Sequence, residues 1–119
     1  TGIEKSEQFK FLNIANEYLK KGRIKAIRLS TRPDYIDRNI LKRLKKYHVK
    51  TIELGVQSSN DYILKKSKRG HTFDDVKKAS RLIRFHGFRL GHQMMVGLPE
   101  STEHDEINTA KDLIKLKPN

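Results

Sequence analysis

The chain has 119 residues, carries 26 Lys and Arg against 14 Asp and Glu for a formal net charge of +12, and contains no cysteine. That length suits one domain burying roughly two thirds of the surface its unfolded chain exposes. The lack of cysteine excludes disulfides, thiolate-held zinc and a thiolate-held iron-sulfur cluster within these residues. No apolar run approaches the roughly 18 residues of a membrane-spanning helix and no signal peptide is legible, so a cytoplasmic setting without a membrane is the expectation. The missing initiator methionine reads as a fragment.

The first helix is expected over residues 6–21, with Phe9, Leu12, Ala15 and Leu19 on one stripe and Gly22 as its stop. A strand over 25–31 follows, broken by Arg32-Pro33-Asp34, because proline lacks an amide donor and restricts the residue before it. The second helix takes 37–47 with Ile40, Leu41 and Leu44 inward, and the second strand takes 51–57. A short helix over 60–66 is interrupted at Gly70. Thr72 and Asp75 form a capping-box pair that opens a helix carrying Val76, Ala79, Leu82 and Ile83 to a stop at Gly87. The third strand takes 89–96 and ends at Gly97-Leu98-Pro99. Ser101 or Thr102 caps the last helix, whose apolar stripe reads Ile107, Ala110, Leu113 and Ile114, and Pro118 closes the chain.

One helix followed by three beta-alpha units implies an α/β fold with a parallel sheet and right-handed crossovers. Two architectures fit, an open doubly wound sheet or part of a (β/α) barrel. A doubly wound nucleotide fold favours a glycine-rich turn after its first strand, and Ser30-Thr31-Arg32-Pro33 is not one. Side chains alternate across a strand, which sets Arg28, Ser30 and Arg32, then Glu53 and Gln57, then Gln93 with Gly91 and Met95, on one face. Ile27, Leu29, Ile52, Leu54, Val56, Leu90, Met94 and Val96 take the other. Parallel strands usually read as apolar on both faces. A polar face is therefore read as a barrel lumen, and the expected architecture is a partial (β/α) barrel.

In barrels, chemistry gathers at the carboxyl ends of the strands. Three segments land there, at 30–35, 53–58 and 94–99. The lysines and arginines of the helix faces, such as Lys42, Arg43, Lys45 and Lys46 or Lys77, Lys78, Arg81 and Arg84, read as solvated charge, since no RNA-binding aromatic motif accompanies them. His48, His71, His86, His92 and His104 show no metal-ligand spacing. His71 is expected to orient the Arg-Gly-His-Thr turn, His92 to face the helices, and Asp34 to organise the turn after Pro33.

The runs STRPDYI (30–36), IELGVQS (52–58), KRGHT (68–72) and QMMVGLP (93–99), in this order and at these separations, resemble the central part of a radical S-adenosylmethionine (SAM) enzyme. The resemblance is to the subgroup of the elongator complex catalytic subunit, which is also similar to oxygen-independent coproporphyrinogen III oxidase. It implies one helix and three βα units of a six-unit, partly open barrel that holds a [4Fe-4S] cluster and SAM and generates a 5'-deoxyadenosyl radical. Residues 11–22 fit the helix before the third barrel strand, and Thr1-Gly2-Ile3 the tail of the loop after the second.

Position by position, the resemblance places Ser30 where many relatives carry a glutamate facing SAM, Gln57 in the same pocket, Arg69 at the SAM carboxylate and Gln93 near the ribose. Met95 and the residues to Leu98 take the adenine side through backbone and apolar contact, and Arg32 joins the cofactor-facing set. Arg32, Arg28 and Glu53 are also expected to form a lumen ion-pair network, because a buried charge needs a partner. No catalytic and no metal-ligating residue is assigned. The family's three-cysteine loop follows the first strand and this chain is read as starting after the second, so alone it is expected to be inactive. The expected partners are SAM, a tRNA or other anionic substrate, and a second copy through exposed strand edges. The alternative from a different class is a basic RNA-binding module without catalysis.

Overall fold

A computed structural model of the chain describes residues 3–119. The expectation for Thr1 and Gly2 lies outside the described residues. The elements are α1 (Lys5–Lys20), β1 (Ile27–Thr31), a 3-10 turn (Pro33–Tyr35), α2 (Arg38–Lys46), β2 (Val49–Gln57), α3 (Asp61–Lys66), α4 (Phe73–Phe85), β3 (Arg89–Met94) and α5 (Glu103–Lys115). The strands form one parallel sheet in the order β1-β2-β3. Register aligns Ser30 with Glu53 and Glu53 with Gly91 across the sheet.

One face of the sheet carries the apolar core. Ile27, Ile52, Leu54, Val56 and Leu90 from the strands meet Leu41 and Leu44 of α2, Val76, Ala79 and Ile83 of α4, and Leu113 of α5. Leu12, Ala15 and Leu19 of α1 pack at the margin, and Phe9 stacks on Tyr47 with ring centroids 5.9 Å apart. The opposite face holds the polar set. The radius of gyration is 15.3 Å, against about 13.5 Å for a compact chain of this length. An open wedge of sheet with helices on one side explains the excess.

Short-range chemistry starts the helices where the sequence places them. The Asp37 side chain accepts from the Ile40 amide at 2.7 Å, and Asn60 accepts from the Tyr62 amide at 3.0 Å. Thr72 with Asp75, and Thr102 with Asp105, form complete capping boxes that satisfy otherwise orphaned amides. Asp105 also accepts from Asn60 Nδ2 at 2.9 Å, and these bonds, Thr102 first, hold its carboxyl down to about 2. Thr109 Oγ1 accepts from the Ser59 amide at 3.0 Å and donates to the Asp105 carbonyl at 2.8 Å. Together Asp105 and Thr109 fasten α5 to the chain leaving β2.

Four sequence expectations need correction. The first strand begins at Ile27, not 25, and the second begins at Val49, not 51. The third ends at Met94, because the chain turns at Gly97, whose φ is +76° and whose amide donates to Glu106 Oε1 at 2.7 Å. Val96 is therefore 70% exposed rather than packed against the helices. In α5 the buried residues are Thr109 and Leu113, whereas Ile107 and Ile114 are 45% and 71% exposed. The hydroxyl of Thr109 is required inside, and at about 100° per residue Ile107 then falls on the far side of the helix.

Leu54 is fully buried, so Leu54→Ala should cost about 2–5 kcal/mol through lost contacts and a residual cavity. Ile114→Lys should stay within about 0.5 kcal/mol of the parent. Urea unfolding of both variants checks the pair, and comparable losses would reinstate the sequence-derived stripe.

Candidate functional site

On the polar face, Glu53 stands on the middle strand and gathers groups from both neighbours. Its Oε2 accepts from Ser30 Oγ of β1 at 3.2 Å and from Gln93 Nε2 of β3 at 2.9 Å. Its Oε1 lies 3.2 Å from Arg28 Nη1. Room for this reach comes from Gly91, where a Cβ would stand 2.8 Å from Glu53 Cγ. The arrangement brings Ser30 and Gln93 together, as the sequence suggested, but around a carboxylate whose central place the sequence did not reveal.

One step toward the carboxyl ends, Gly55 forms the floor of a second cluster. A Cβ there would lie 3.0 Å from Gln57 Nε2, 3.8 Å from Arg69 Nη2 and 3.8 Å from the Thr31 carbonyl. The Gln57 amide and the Arg69 guanidinium therefore converge over the same strand. Gln57 is only 9% exposed and has φ of +72°, a conformation that costs a non-glycine residue on the order of 1–3 kcal/mol and is tolerated where surrounding structure imposes it. The imposing contacts are a bulge, in which Gly55 aligns with Gln93 and Gln57 with Met94, and the Met95 amide, which donates to the Gln57 carbonyl at 3.0 Å. Met95 thus contributes backbone, and its side chain is 48% exposed.

Arg69 supplies the group best suited to an anion. Its Nε is buried without a hydrogen-bond partner, and among the described residues no carboxylate pairs with it. Arg32, by contrast, is already satisfied. It grips Asp34 with two bonds, Nε to Oδ1 at 3.0 Å and Nη2 to Oδ2 at 2.7 Å, and lies over the Tyr35 ring. The lumen ion pair consists of Arg28 and Glu53 without Arg32, because Asp34, two residues along the same turn, captures the guanidinium first. Gly70, with φ of +74°, leaves space for it, since a Cβ there would meet Arg32 Nη2 at 2.8 Å. The glycines at 55, 70 and 91 were the legible signal for these cradles.

The histidines sit outside this set. His71 is buried, with Nε2 3.2 Å from the Val56 carbonyl, and braces the turn that carries Arg69. His92 faces the helices, 2.9 Å from Ser80 Oγ, and burial pushes its imidazole down to about 4. Among the described residues no group of three or more His, Asp or Glu could hold a metal ion, and no helix is long and apolar enough to cross a membrane.

Residues 1–113 match the profile of the Radical SAM superfamily. The chain belongs to that superfamily. It is 38% identical over 82 residues to a tRNA uridine(34) acetyltransferase of Methanocaldococcus infernus, covering 69% of this chain and 15% of the relative. The structure of an N-terminally truncated Elp3 from the same archaeon superposes with a TM-score of 0.72 at 34% identity, over 75% of this chain and 21% of that one. Escherichia coli coproporphyrinogen III oxidase, a radical SAM enzyme, superposes with a TM-score of 0.70 over 78% of this chain and 22% of its own; at 22% identity it speaks to the fold. The radical SAM chain thus spans about a fifth or less of the length of these relatives, and its three units form part of a barrel.

His92 generates a pH prediction. Its folded pKa of about 4 lies below the ordinary value of 6.5, so the unfolded chain binds more protons between these values and stability falls as pH drops through that window. His92→Gln should flatten this part of the profile. Thermal unfolding followed from about pH 7 down to about pH 4.5 provides the check, and an unchanged slope would place the titration elsewhere.

Proposed function

We propose that this chain forms the SAM-lining wall of a radical SAM enzyme whose cluster is held by residues outside these 119. The observation that carries this reading is the Arg69 guanidinium, with a buried and unpartnered Nε, set beside the strained Gln57 over the Gly55 backbone. An arginine fork matches a carboxylate, and amides serve hydroxyls without bringing a further charge into the cavity. The residues present fit SAM: Arg69 takes its carboxylate, Gln57, Ser30 and Gln93 meet its polar groups, and the backbone at Met95 closes the far side, with Arg32 as a rim residue held by Asp34. When bound and reduced through a [4Fe-4S] cluster, SAM supplies a 5'-deoxyadenosyl radical for hydrogen abstraction. The chain has no cysteine and does not fit the cluster, so it binds and orients rather than initiates, and alone it is inactive.

A basic cleft supports an RNA partner for the same protein. Arg81, Arg84, Lys115 and Lys117 line a cavity of about 500 Å³ on the helix side, remote in the fold from the polar strand face. Phosphates are the natural neutralising groups for such a cluster. The tRNA named for the acetyltransferase relative makes RNA the substrate class proposed for this one.

In the full-length protein that carries these residues, Arg69→Ala should weaken SAM binding by about tenfold or more, the range for a hydrogen bond to a charged group, and Gln57→Ala by about two- to tenfold, the range for a neutral one. Decarboxylated SAM should be indifferent to Arg69→Ala. Calorimetric titration checks both, and equal losses for the two ligands would remove Arg69 from the carboxylate. Arg81→Glu with Arg84→Glu should lower RNA affinity and flatten its dependence on salt while leaving SAM binding unchanged.

A further inference from the structure

We propose that Glu53 is a positioning residue that fixes the amide of Gln93, so that Gln93 presents its carbonyl oxygen to the cavity as a hydrogen-bond acceptor. The inference rests on the SAM reading above and goes beyond it by assigning a role to a residue that need not touch the ligand. An ionised carboxylate can only accept. Gln93 Nε2 lies 2.9 Å from Glu53 Oε2, so the amide nitrogen, not the oxygen, must face the carboxylate. The reverse rotamer would set two acceptors against each other, and it is this network that decides which end is which.

The second amide hydrogen makes a longer, weaker contact with Ser30 Oγ, 3.4 Å from Nε2. Ser30 in turn directs its own hydrogen to Glu53 Oε2 at 3.2 Å. The donors of Gln93 are thereby turned toward the protein, and Oε1 is its side-chain atom without a partner. Gln93 is exposed on the open face of the sheet, so that oxygen is accessible. It is suited to a ligand that donates, such as a ribose hydroxyl.

Three features hold Glu53 in this task. Arg28 pairs with its other oxygen at 3.2 Å, Ser30 on β1 is short enough to leave space, and Gly91 on β3 lets the side chain lean across the neighbouring strand. A residue larger than glycine at 91 would push the carboxylate away from Gln93. The middle strand thus aligns polar groups on both of its neighbours with one carboxylate.

The test is a mutant cycle on SAM binding in the full-length protein, with thermal unfolding to confirm folding. Glu53→Leu frees the Gln93 amide to rotate and should weaken SAM by about tenfold. Gln93→Glu offers only acceptors, so it needs no orienting partner. Added to Glu53→Leu it should restore affinity to within about threefold of the parent. Introduced alone it sets a second carboxylate against Glu53 and should weaken binding. This reversal of sign supports the proposal, and a Gln93→Glu effect that is the same in both backgrounds overturns it. If Glu53→Leu does not fold, Glu53→Met takes its place, because it has a similar length and no oxygen to accept from Gln93, and the same loss and restoration are expected. Loss of SAM affinity in Arg69→Ala without the reversal overturns the role of Glu53 alone. No loss in Arg69→Ala overturns the SAM reading and the inference with it.

Discussion

A strand inside a parallel sheet has its backbone groups satisfied on both edges, so what remains to be decided is what covers its two faces. In β2 the answer differs face by face. Ile52, Leu54 and Val56 are fully buried against the helices, while Glu53, Gly55 and Gln57 stand on the polar face, Gln57 itself buried beneath its neighbours. The buried residues anchor the strand on which the polar residues stand. Precision of the polar face is inherited from the apolar one, because a strand cannot slide by one residue without carrying its whole apolar set out of the core.

From that anchored strand the site extends sideways through two different devices. Toward the carboxyl end, backbone geometry does the work, with the bulge, the Met95 amide and the left-handed Gln57 setting the side chain over Gly55. Deeper in the sheet, charge does it, with one carboxylate holding Arg28, Ser30 and Gln93. Glycine appears in both: at 91 it lets Glu53 of β2 lean across β3, and at 55 it leaves room for Gln57 of the same strand and for Arg69. On the helix side, Asp105 and Thr109 tie α5 to the end of β2. That tie fixes the segment leading to α3 and the Arg69 turn.

The alternation of apolar and polar residues made the order of elements, the parallel sheet and the open polar face readable from the sequence. The capping box at Thr72 was readable because it acts over three residues, and the last helix's cap was narrowed to Ser101 or Thr102, of which the structure uses Thr102 with Asp105. Long-range partners were not. Arg32 looked like a lumen charge until Asp34 was seen to hold it, and Ile107 and Ile114 looked like core until the Thr109 hydroxyl was found inside. The positive φ of Gln57 left no trace in its identity, since glycine or asparagine would be the usual residue there. The central place of Glu53 was hidden for the same reason: a hydrogen-bond hub depends on what neighbouring strands bring to it.

The bulge at the end of β2 sets a rule about length as well as composition. Two residues of β2 occupy the space of one on β3, and this extra residue keeps Gln57 on the side of Gly55. Removing Val56 would heal the ladder, yet it would turn the glutamine toward the helices and draw Ser58, whose Oγ lies 3.4 Å from Thr109 Oγ1, away from α5. The connection between α1 and β1 is exposed along residues 21–26, with nothing within 4 Å of a Cβ placed at Gly22, and is under no such constraint. Variants of this protein should therefore accept insertions and deletions between the first helix and its strand, while the stretch from Glu53 to Gln57 changes letters but never its count.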